Sequence, residues 1–142
     1  MKQSSAGRDL IVLVARVVVG AVFVAHGLQK FLGWGISGTA SSFEQMGIPL
    51  PGVSAWFAAL VETIGGLALA LGAALPVAGL LLALTMVGAM VFNHLPNGFF
   101  ASGGGVEYVL VLAVAALALG FSGGAYTVDN ALNRSEAKPA GD

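Results

Sequence analysis

Four long runs of apolar residues, separated by short polar or glycine- and proline-rich segments, dominate the pattern of the chain. They cover about residues 9–31, 53–71, 75–95 and 106–121. Because roughly 20 apolar residues carry a helix across the hydrocarbon core of a bilayer, each run is predicted to be a transmembrane helix. The pattern therefore predicts an all-α fold, an integral membrane bundle of four transmembrane helices.

The segments between the runs predict how these helices begin and connect. Asp9 is a candidate N-cap of the first helix. Residues 33–52 form the largest connection, with a short surface helix near residues 43–46 and Trp34 at the membrane interface. A tight turn at residues 72–76 makes the second and third helices an antiparallel hairpin.

The chain is predicted to form one membrane domain with two tails. Residues 1–8 form an N-terminal tail, residues 9–128 the membrane domain, and residues 129–142 a polar C-terminal tail that frays. The basic residues in the tails or near the start of the first helix are Lys2, Arg8, Arg16, Arg134 and Lys138. The connections at the opposite end of the helices, between the first and second and between the third and fourth, hold only Lys30. Since positive charges favour the cytoplasmic side, both termini are predicted to be cytoplasmic.

Composition narrows the classes of function. Apolar residues make up 57% of the chain and charged residues only 9%, against roughly 25% charged residues in soluble domains. The net charge of −1, without a basic cluster, gives no electrostatic footprint for nucleic acid. With no cysteine, the chain has no disulfide, thiolate ligand or redox thiol. Any redox role therefore requires a bound cofactor or a partner protein.

Polar side chains within the apolar runs are the candidate functional residues, because a charge in hydrocarbon is costly unless it is paired or solvated. One face of the first helix carries Arg16 and Lys30, and His26 lies one turn before Lys30. Glu62 lies midway along the second helix, at a depth between Arg16 on one side and His26 or Lys30 on the other. The partner of Glu62 can therefore be Arg16 on one side, or His26 or Lys30 on the other.

Further polar residues lie where the third helix ends and the fourth begins. His94 is at the end of the third run, and Glu107 and Tyr108 are at the start of the fourth. The predicted topology puts these residues at the level of His26 and Lys30. We therefore expect one pocket in the outer leaflet, with Glu62 below it.

Structural interpretations of the same residues stay open. Arg16 and Glu62 can form an ion pair that only fixes the register of two helices. Lys30 and Glu107 lie near helix ends, where charged side chains usually extend to the lipid headgroups.

Met86, Met90 and His94 recur every fourth residue, like a row of soft metal ligands. Methionines at helical spacing are more often packing residues. No metal site is therefore predicted.

Six motifs in order along the chain resemble the DoxX family of bacterial membrane proteins. They are R-x3-G at 16–20, H-G-L-Q-K-F-x-G at 26–33, M-G-I-P-x-P at 46–51, E-x2-G-G-x-x-L-x-L-G at 62–72, H-L-P-N-G-F-F at 94–100 and G-x-E-Y at 105–108. The resemblance covers about residues 9–132. It implies a four-helix, multi-pass subunit of the bacterial cytoplasmic (inner) membrane, associated with redox chemistry.

The relatives that this resemblance suggests include the small subunit of a thiosulfate:quinone oxidoreductase and a mycobacterial protein that joins a superoxide dismutase and a sulfurtransferase. The resemblance thus implies quinone as the cofactor and soluble redox enzymes, superoxide dismutase-like or sulfurtransferase-like, as partners. The candidate quinone pocket consists of His26, Lys30, His94 and Tyr108, and the candidate proton relay of Glu62 and Glu107.

Three functions are compatible with these features. The favoured one is a membrane subunit of an oxidoreductase system that binds quinone in the outer-leaflet pocket and anchors redox or sulfur-metabolism partners. In this function the chain carries no electrons, and catalysis by the chain is left open. The second is a non-catalytic membrane scaffold for soluble oxidative-stress enzymes. The third, a small transporter, requires a homo-oligomer, since four short helices show no repeat or broken helix.

Overall fold

The computed structural model describes residues 5–137, and all regular structure in this range is helical. The main helices of this range are α1 (Ser5–Gly33), α2 (Gly35–Gln45), α3 (Pro51–Leu71), α4 (Leu75–Asn97), α5 (Glu107–Ser122) and α6 (Val128–Glu136), and a 3-10 turn (Ala101–Gly103) lies between α4 and α5. Helices α1, α3 and α4 are long and apolar enough to cross a membrane, and α5 is a shorter apolar helix. Lys2 and Lys138, which entered the topology prediction, lie outside the described residues.

Prolines mark the starts of α3 and α4. Pro51 begins α3 and Pro76 lies in the first turn of α4, where a missing N–H breaks no helical hydrogen bond. Leu50 and Ala74, just before these helices, both have left-handed backbones, with φ of 49° and 47°. The short turn between α3 and α4 confirms the predicted hairpin.

Three local predictions were wrong. Asp9 does not cap α1, which is already helical at Ser5, and its Oδ1 instead accepts the N–H of Ala125 at 3.1 Å. Residues 129–142 were predicted to fray, but Val128–Glu136 form α6, which Thr127 caps because its hydroxyl accepts a backbone N–H of the first turn. Residues 138–142 of this tail lie outside the described residues. The surface helix of the first connection is also longer than predicted, since α2 spans eleven residues.

Small residues allow the helices to approach closely. A Cβ atom added to Gly20 of α1 would lie 2.5 Å from the carbonyl oxygen of Gly66 in α3. A Cβ added to Gly79 of α4 would lie 2.6 Å from the carbonyl oxygen of Ala116 in α5. The glycine-rich faces are therefore packing surfaces, as close helix packing in lipid requires.

The two ends of the bundle differ in their connections. We call the end with α2 and the link between α4 and α5 the loop end, and the end with the α3–α4 turn and α6 the terminal end. Asp9 bonds to Ala125 and Arg16 donates to the carbonyl oxygen of Tyr126, so the start of α1 and the chain after α5 meet at the terminal end.

Candidate functional site

A buried ion pair joins α1 to α3. Lys30 Nζ lies 2.6 Å from Glu62 Oε2, and both residues are buried. Lys30 Nζ also donates to the carbonyl oxygen of His26 at 3.4 Å. Within residues 5–137, the other Glu62 oxygen, Oε1, makes no hydrogen bond. The pair is therefore close, but neither group uses all of its hydrogen-bonding capacity.

The pair and a nearby histidine lie on π-helical turns. Such turns interrupt α1 at Gln29–Gly33, α3 at Val61–Gly65 and α4 at Met90–His94. They contain Lys30, Glu62 and His94, respectively. Single π turns within α-helices occur frequently at functional sites, because the extra residue redirects nearby side chains. One such turn in each of three helices favours a functional role for the region that they surround.

A cavity of about 500 Å³ lies beside the ion pair, at the loop end of the bundle. Residues of α1 to α5 line it, and its wall is mainly apolar. Its volume falls within the range of small-ligand sites, about 300–1,000 Å³. The predicted residues His26, Lys30, Glu62, His94 and Tyr108 all line this cavity. The sequence therefore identified five of the polar side chains that line the cavity, including both of its charged groups, Lys30 and Glu62.

His26 and Tyr108 face each other across the α1–α5 boundary. Their ring centroids are 6.2 Å apart, and the Tyr108 hydroxyl lies 3.5 Å from His26 Nε2, at the limit of a hydrogen bond. The tyrosine is partly exposed. Because the contact is long, the hydroxyl is free to donate to a ligand instead.

The hydrogen bonds of His94 define its tautomer. Nδ1 lies 2.8 Å from the carbonyl oxygen of Gly104, which can only accept, so Nδ1 carries the proton. Nε2 is then an acceptor in the neutral ring, and the Asn93 amide nitrogen lies 3.3 Å from it. Neutral His94 thus presents a hydrogen-bond acceptor, not the donor that the sequence-based hypothesis assigned to it.

Glu107 does not join the cavity that the sequence predicted for it. Its Oε1 accepts the backbone N–H of Ala101 at 3.1 Å, and its side chain lines a separate surface depression with Phe99 and Leu110. Glu107 lies in the first turn of α5, where its carboxylate folds back to the preceding link. Its carboxylate is therefore not among the groups that line the cavity beside Glu62.

The predicted ion pair between Arg16 and Glu62 is not formed. Arg16 is fully buried at the terminal end, where Nη2 donates to the carbonyl oxygen of Tyr126. Its Nε and Nη1 have no hydrogen-bond partner within residues 5–137. Asp129 is the nearby carboxylate, but its two oxygens accept the backbone N–H groups of Ala74 and Leu75 at 2.8 and 3.1 Å.

Helix α2 supplies cavity residues that the sequence did not reveal. Thr39, Ser42 and Phe43 of this helix line the cavity from the loop end, as does Trp34 just before it. Thr39 is buried, and its hydroxyl donates to the carbonyl oxygen of Gly35 at 2.9 Å. The signal in the sequence was weak, because polar and apolar residues alternate irregularly in this short helix.

No metal cluster accompanies these side chains. Within residues 5–137, no three His, Cys, Asp or Glu side chains converge on a metal-sized site. Met86 is buried against the apolar core and also lines the cavity. The donors and acceptors present suit a small organic ligand with carbonyl or hydroxyl groups.

Comparisons with known proteins give the family. The DoxX family model matches residues 11–95. A Bacillus subtilis protein named "Putative oxidoreductase CatD" is 37% identical over 107 residues, which are 75% of this chain and 76% of that protein. The "Inner membrane protein YphA" of Escherichia coli is 29% identical over 90 residues, 63% of each chain.

A third relative, from Mycobacterium tuberculosis, is named as an uncharacterized membrane protein. It is 37% identical over 92 residues, which are 62% of this chain and 56% of that protein. No solved structure is significantly similar to the chain. Because the family model matches more than half of the sequence, and because its apolar helices are long enough to cross a bilayer, this chain belongs to the DoxX family of membrane proteins.

Proposed function

We propose that this DoxX protein is a membrane subunit of an oxidoreductase system and binds a quinone headgroup in the cavity at the loop end. The observation that carries the proposal is the buried Lys30–Glu62 pair, which borders a mainly apolar cavity of about 500 Å³. A buried charge pair is costly unless it fixes the structure or serves a ligand. A relative with oxidoreductase in its name supports the redox assignment.

The donors and acceptors of the cavity fit a quinone ring. The Lys30 ammonium has three N–H groups and uses two of them, on Glu62 and on the His26 carbonyl oxygen. The third N–H and the Tyr108 hydroxyl are available for the carbonyl oxygens of a quinone. The apolar wall suits the face of the ring.

A bound quinone would accept two electrons and two protons when it is reduced. The residues of the chain would hold and deliver the protons. Glu62 is the carboxylate that can hold a proton beside the cavity, and His94 Nε2 can accept one at its rim. Lys30 would keep a positive charge next to the ring.

In this proposal the electrons come from another protein, because the chain has no cysteine to act as a redox thiol. We assign this role to a soluble redox enzyme, superoxide dismutase-like or sulfurtransferase-like, that docks on the membrane subunit. The chain alone is then a binding and proton-handling subunit, not a complete enzyme.

The proposal includes a topology with four crossings of the bacterial cytoplasmic membrane. Helix α5 has 16 residues and spans ~24 Å at 1.5 Å per residue, somewhat less than the hydrocarbon core of ~30 Å. The bonds of Asp9 and Arg16 to residues 125 and 126 favour an even number of crossings, since they join the start of α1 to the chain after α5. With both termini cytoplasmic, the cavity lies in the outer leaflet.

The test is the quinone content of protein purified in native nanodiscs, measured by mass spectrometry. The variants are Lys30→Met/Glu62→Gln, which removes both charges of the pair, and Glu107→Gln, which makes the same carboxylate-to-amide change outside the cavity. Quinone at about one molecule per chain in the wild type and in Glu107→Gln, but not in the double variant, is the expected result.

Absence of quinone from the wild-type protein under conditions that retain other lipids would refute the quinone site. If a soluble redox enzyme still co-purifies in that case, the scaffold function is correct and the buried pair is structural. Equal quinone contents in all three proteins would place the ligand elsewhere in the protein.

A further inference from the structure

The cavity opens sideways between α3 and α4. Phe57 of α3 and Leu84 and Phe92 of α4 all line the cavity, yet their exposed fractions are 49%, 55% and 39%. The loop-end halves of α3 and α4 also pack little against each other, whereas α4 packs along α5 and α1 along the second half of α3. The same side chains therefore face both the cavity and the outer surface of the bundle.

This opening lies at the depth of the hydrocarbon core. At 1.5 Å per residue, Phe57 is ~9 Å from the start of α3 at Pro51, and Gly88 and Leu84 are ~14 and ~20 Å from the end of α4 at Asn97. Glu62 is ~17 Å from Pro51 by the same measure. Since half of the hydrocarbon core is ~15 Å thick, the opening faces lipid tails and lies at the level of the ion pair.

Gly88 keeps the opening wide. It lines the cavity, and a Cβ added to it would meet no other atom within 4 Å. The hydroxyl of Thr85, one turn away, donates to the carbonyl oxygen of Leu81 at 2.9 Å, so its proton is not available to a ligand. The opening between α3 and α4 therefore has an apolar character, whereas the Lys30–Glu62 pair, which has unused hydrogen-bonding capacity, lies deeper in the cavity.

From this polarity gradient we infer that the cavity takes an amphiphile from the bilayer, with its headgroup at the Lys30–Glu62 pair and its hydrocarbon chain leaving between α3 and α4. The opening is continuous with the lipid-facing surface of the two spans, so the chain remains in lipid while the headgroup is bound. A cavity of about 500 Å³ holds a headgroup but not a long chain as well.

This inference rests on the proposed function only for the identity of the headgroup, a quinone ring. The ligand class is thus a quinone with a long isoprenoid chain, and not a ring that arrives from water. The opening between α3 and α4 then serves as the route of entry, and its width decides which ligands can stay bound.

The first experiment compares two quinones with the same ring, one with a long isoprenoid chain and one without a chain. Saturable quenching of Trp34, which lines the cavity, reports binding in nanodiscs free of quinone, with Trp56→Phe as the common background. Gly88→Leu fills the opening, and Val91→Leu adds bulk to an exposed position of α4 that does not line the cavity.

Gly88→Leu is expected to weaken binding of the long-chain quinone by about tenfold or more, because the chain has to lie where the new side chain does. Binding of the ring without a chain should stay within about twofold of the wild type. Val91→Leu should change the binding of neither quinone. If Gly88→Leu affects both quinones equally or neither of them, the route of the chain is refuted while the quinone site stands.

A second readout does not depend on quinone. A long-chain alcohol with a diazirine next to its hydroxyl is photolysed in the same nanodiscs, and labelled peptides are mapped by mass spectrometry. Label is expected on Phe23 or Met86, which are buried and line the cavity, but not on Leu69 or Leu82, which are equally buried outside it.

Gly88→Leu should remove most of the label from Phe23 and Met86. If neither quinone binds but this label is present and depends on Gly88, the quinone assignment fails and the lipid route stands. If the wild-type protein carries no label on Phe23 and Met86, the amphiphile route is overturned, whatever the quinone result.

Discussion

Arg16 and Lys30 are two buried cations on the same face of α1, ~21 Å apart along its axis, and they have different surroundings. Lys30 pairs with Glu62 and borders a cavity. Arg16 donates to a backbone carbonyl oxygen in a closely packed site, where a Cβ added to Gly72 would strike both its guanidinium and Thr127.

The comparison shows that a buried charge in a membrane helix does not by itself indicate a ligand site. Lys30 has unused hydrogen-bonding capacity next to open space, and Arg16 has unused capacity without such space. Arg16 holds the segment before α6 against the bundle, and Asp129 of α6 caps α4. We therefore assign ligand binding to the loop end and structural fastening to the terminal end.

The largest expected effect comes from removing one charge of the ion pair. Glu62→Gln leaves Lys30 buried without a counter-charge, and should lower the free energy of unfolding by ~3–5 kcal/mol. The double variant Lys30→Met/Glu62→Gln should regain most of this loss, because no isolated charge remains. Reversible unfolding by SDS in mixed micelles measures both. Equal losses in the single and double variants would show that the two charges are not coupled.

The next largest difference is expected between a closely packed glycine at the terminal end and a glycine that borders the cavity at the loop end. Gly72→Ala forces alanine into a left-handed conformation, φ 76°, and into contact with Arg16, so it should cost more than the ~1–2 kcal/mol of the left-handed backbone alone. Gly88→Leu, at the open side of the cavity, should change the unfolding free energy by less than ~1 kcal/mol. The same unfolding assay tests both variants. A larger loss of unfolding free energy for Gly88→Leu than for Gly72→Ala would contradict an opening of the cavity at Gly88.

Arg16→Met should release the C-terminal segment without emptying the cavity. Loss of a charge-assisted hydrogen bond, worth ~1.5–3 kcal/mol, should speed tryptic cleavage after Arg134 by about tenfold or more. Arg8→Met, at an exposed position of the same helix, is the control. If the two variants are cleaved at the same rate, Arg16 does not fasten this segment.

The smallest effect is expected for the tyrosine at the cavity. Tyr108→Phe removes a hydroxyl that is held only loosely by His26, and should weaken quinone binding by ~0.5–1.5 kcal/mol, about threefold to tenfold. Tyr126→Phe is the matched control, because Arg16 bonds to the backbone of Tyr126 and not to its ring. Quenching of Trp34 measures both affinities. An unchanged affinity for Tyr108→Phe would exclude its hydroxyl from the site.

The sequence by itself determined the all-helical membrane fold, because long apolar runs have few other solutions in water or lipid. It also identified the polar residues His26, Lys30, Glu62, His94 and Tyr108, since polar side chains stand out within such runs. The helix of the C-terminal segment was missed. Its cap at Thr127 is a local contact with the N–H of Asn130, but its docking through Asp129 depends on residues more than fifty positions away.

Only the tertiary structure decided which cation pairs with Glu62. Counting residues along two helices left Arg16 and Lys30 equally acceptable, because the register between the helices was unknown. Close contacts of Gly20 with Gly66 and of Gly27 with Thr63 fix that register and bring Glu62 to the level of Lys30. The cavity likewise depends on where α3 and α4 separate, a property of packing between helices that no single helix encodes.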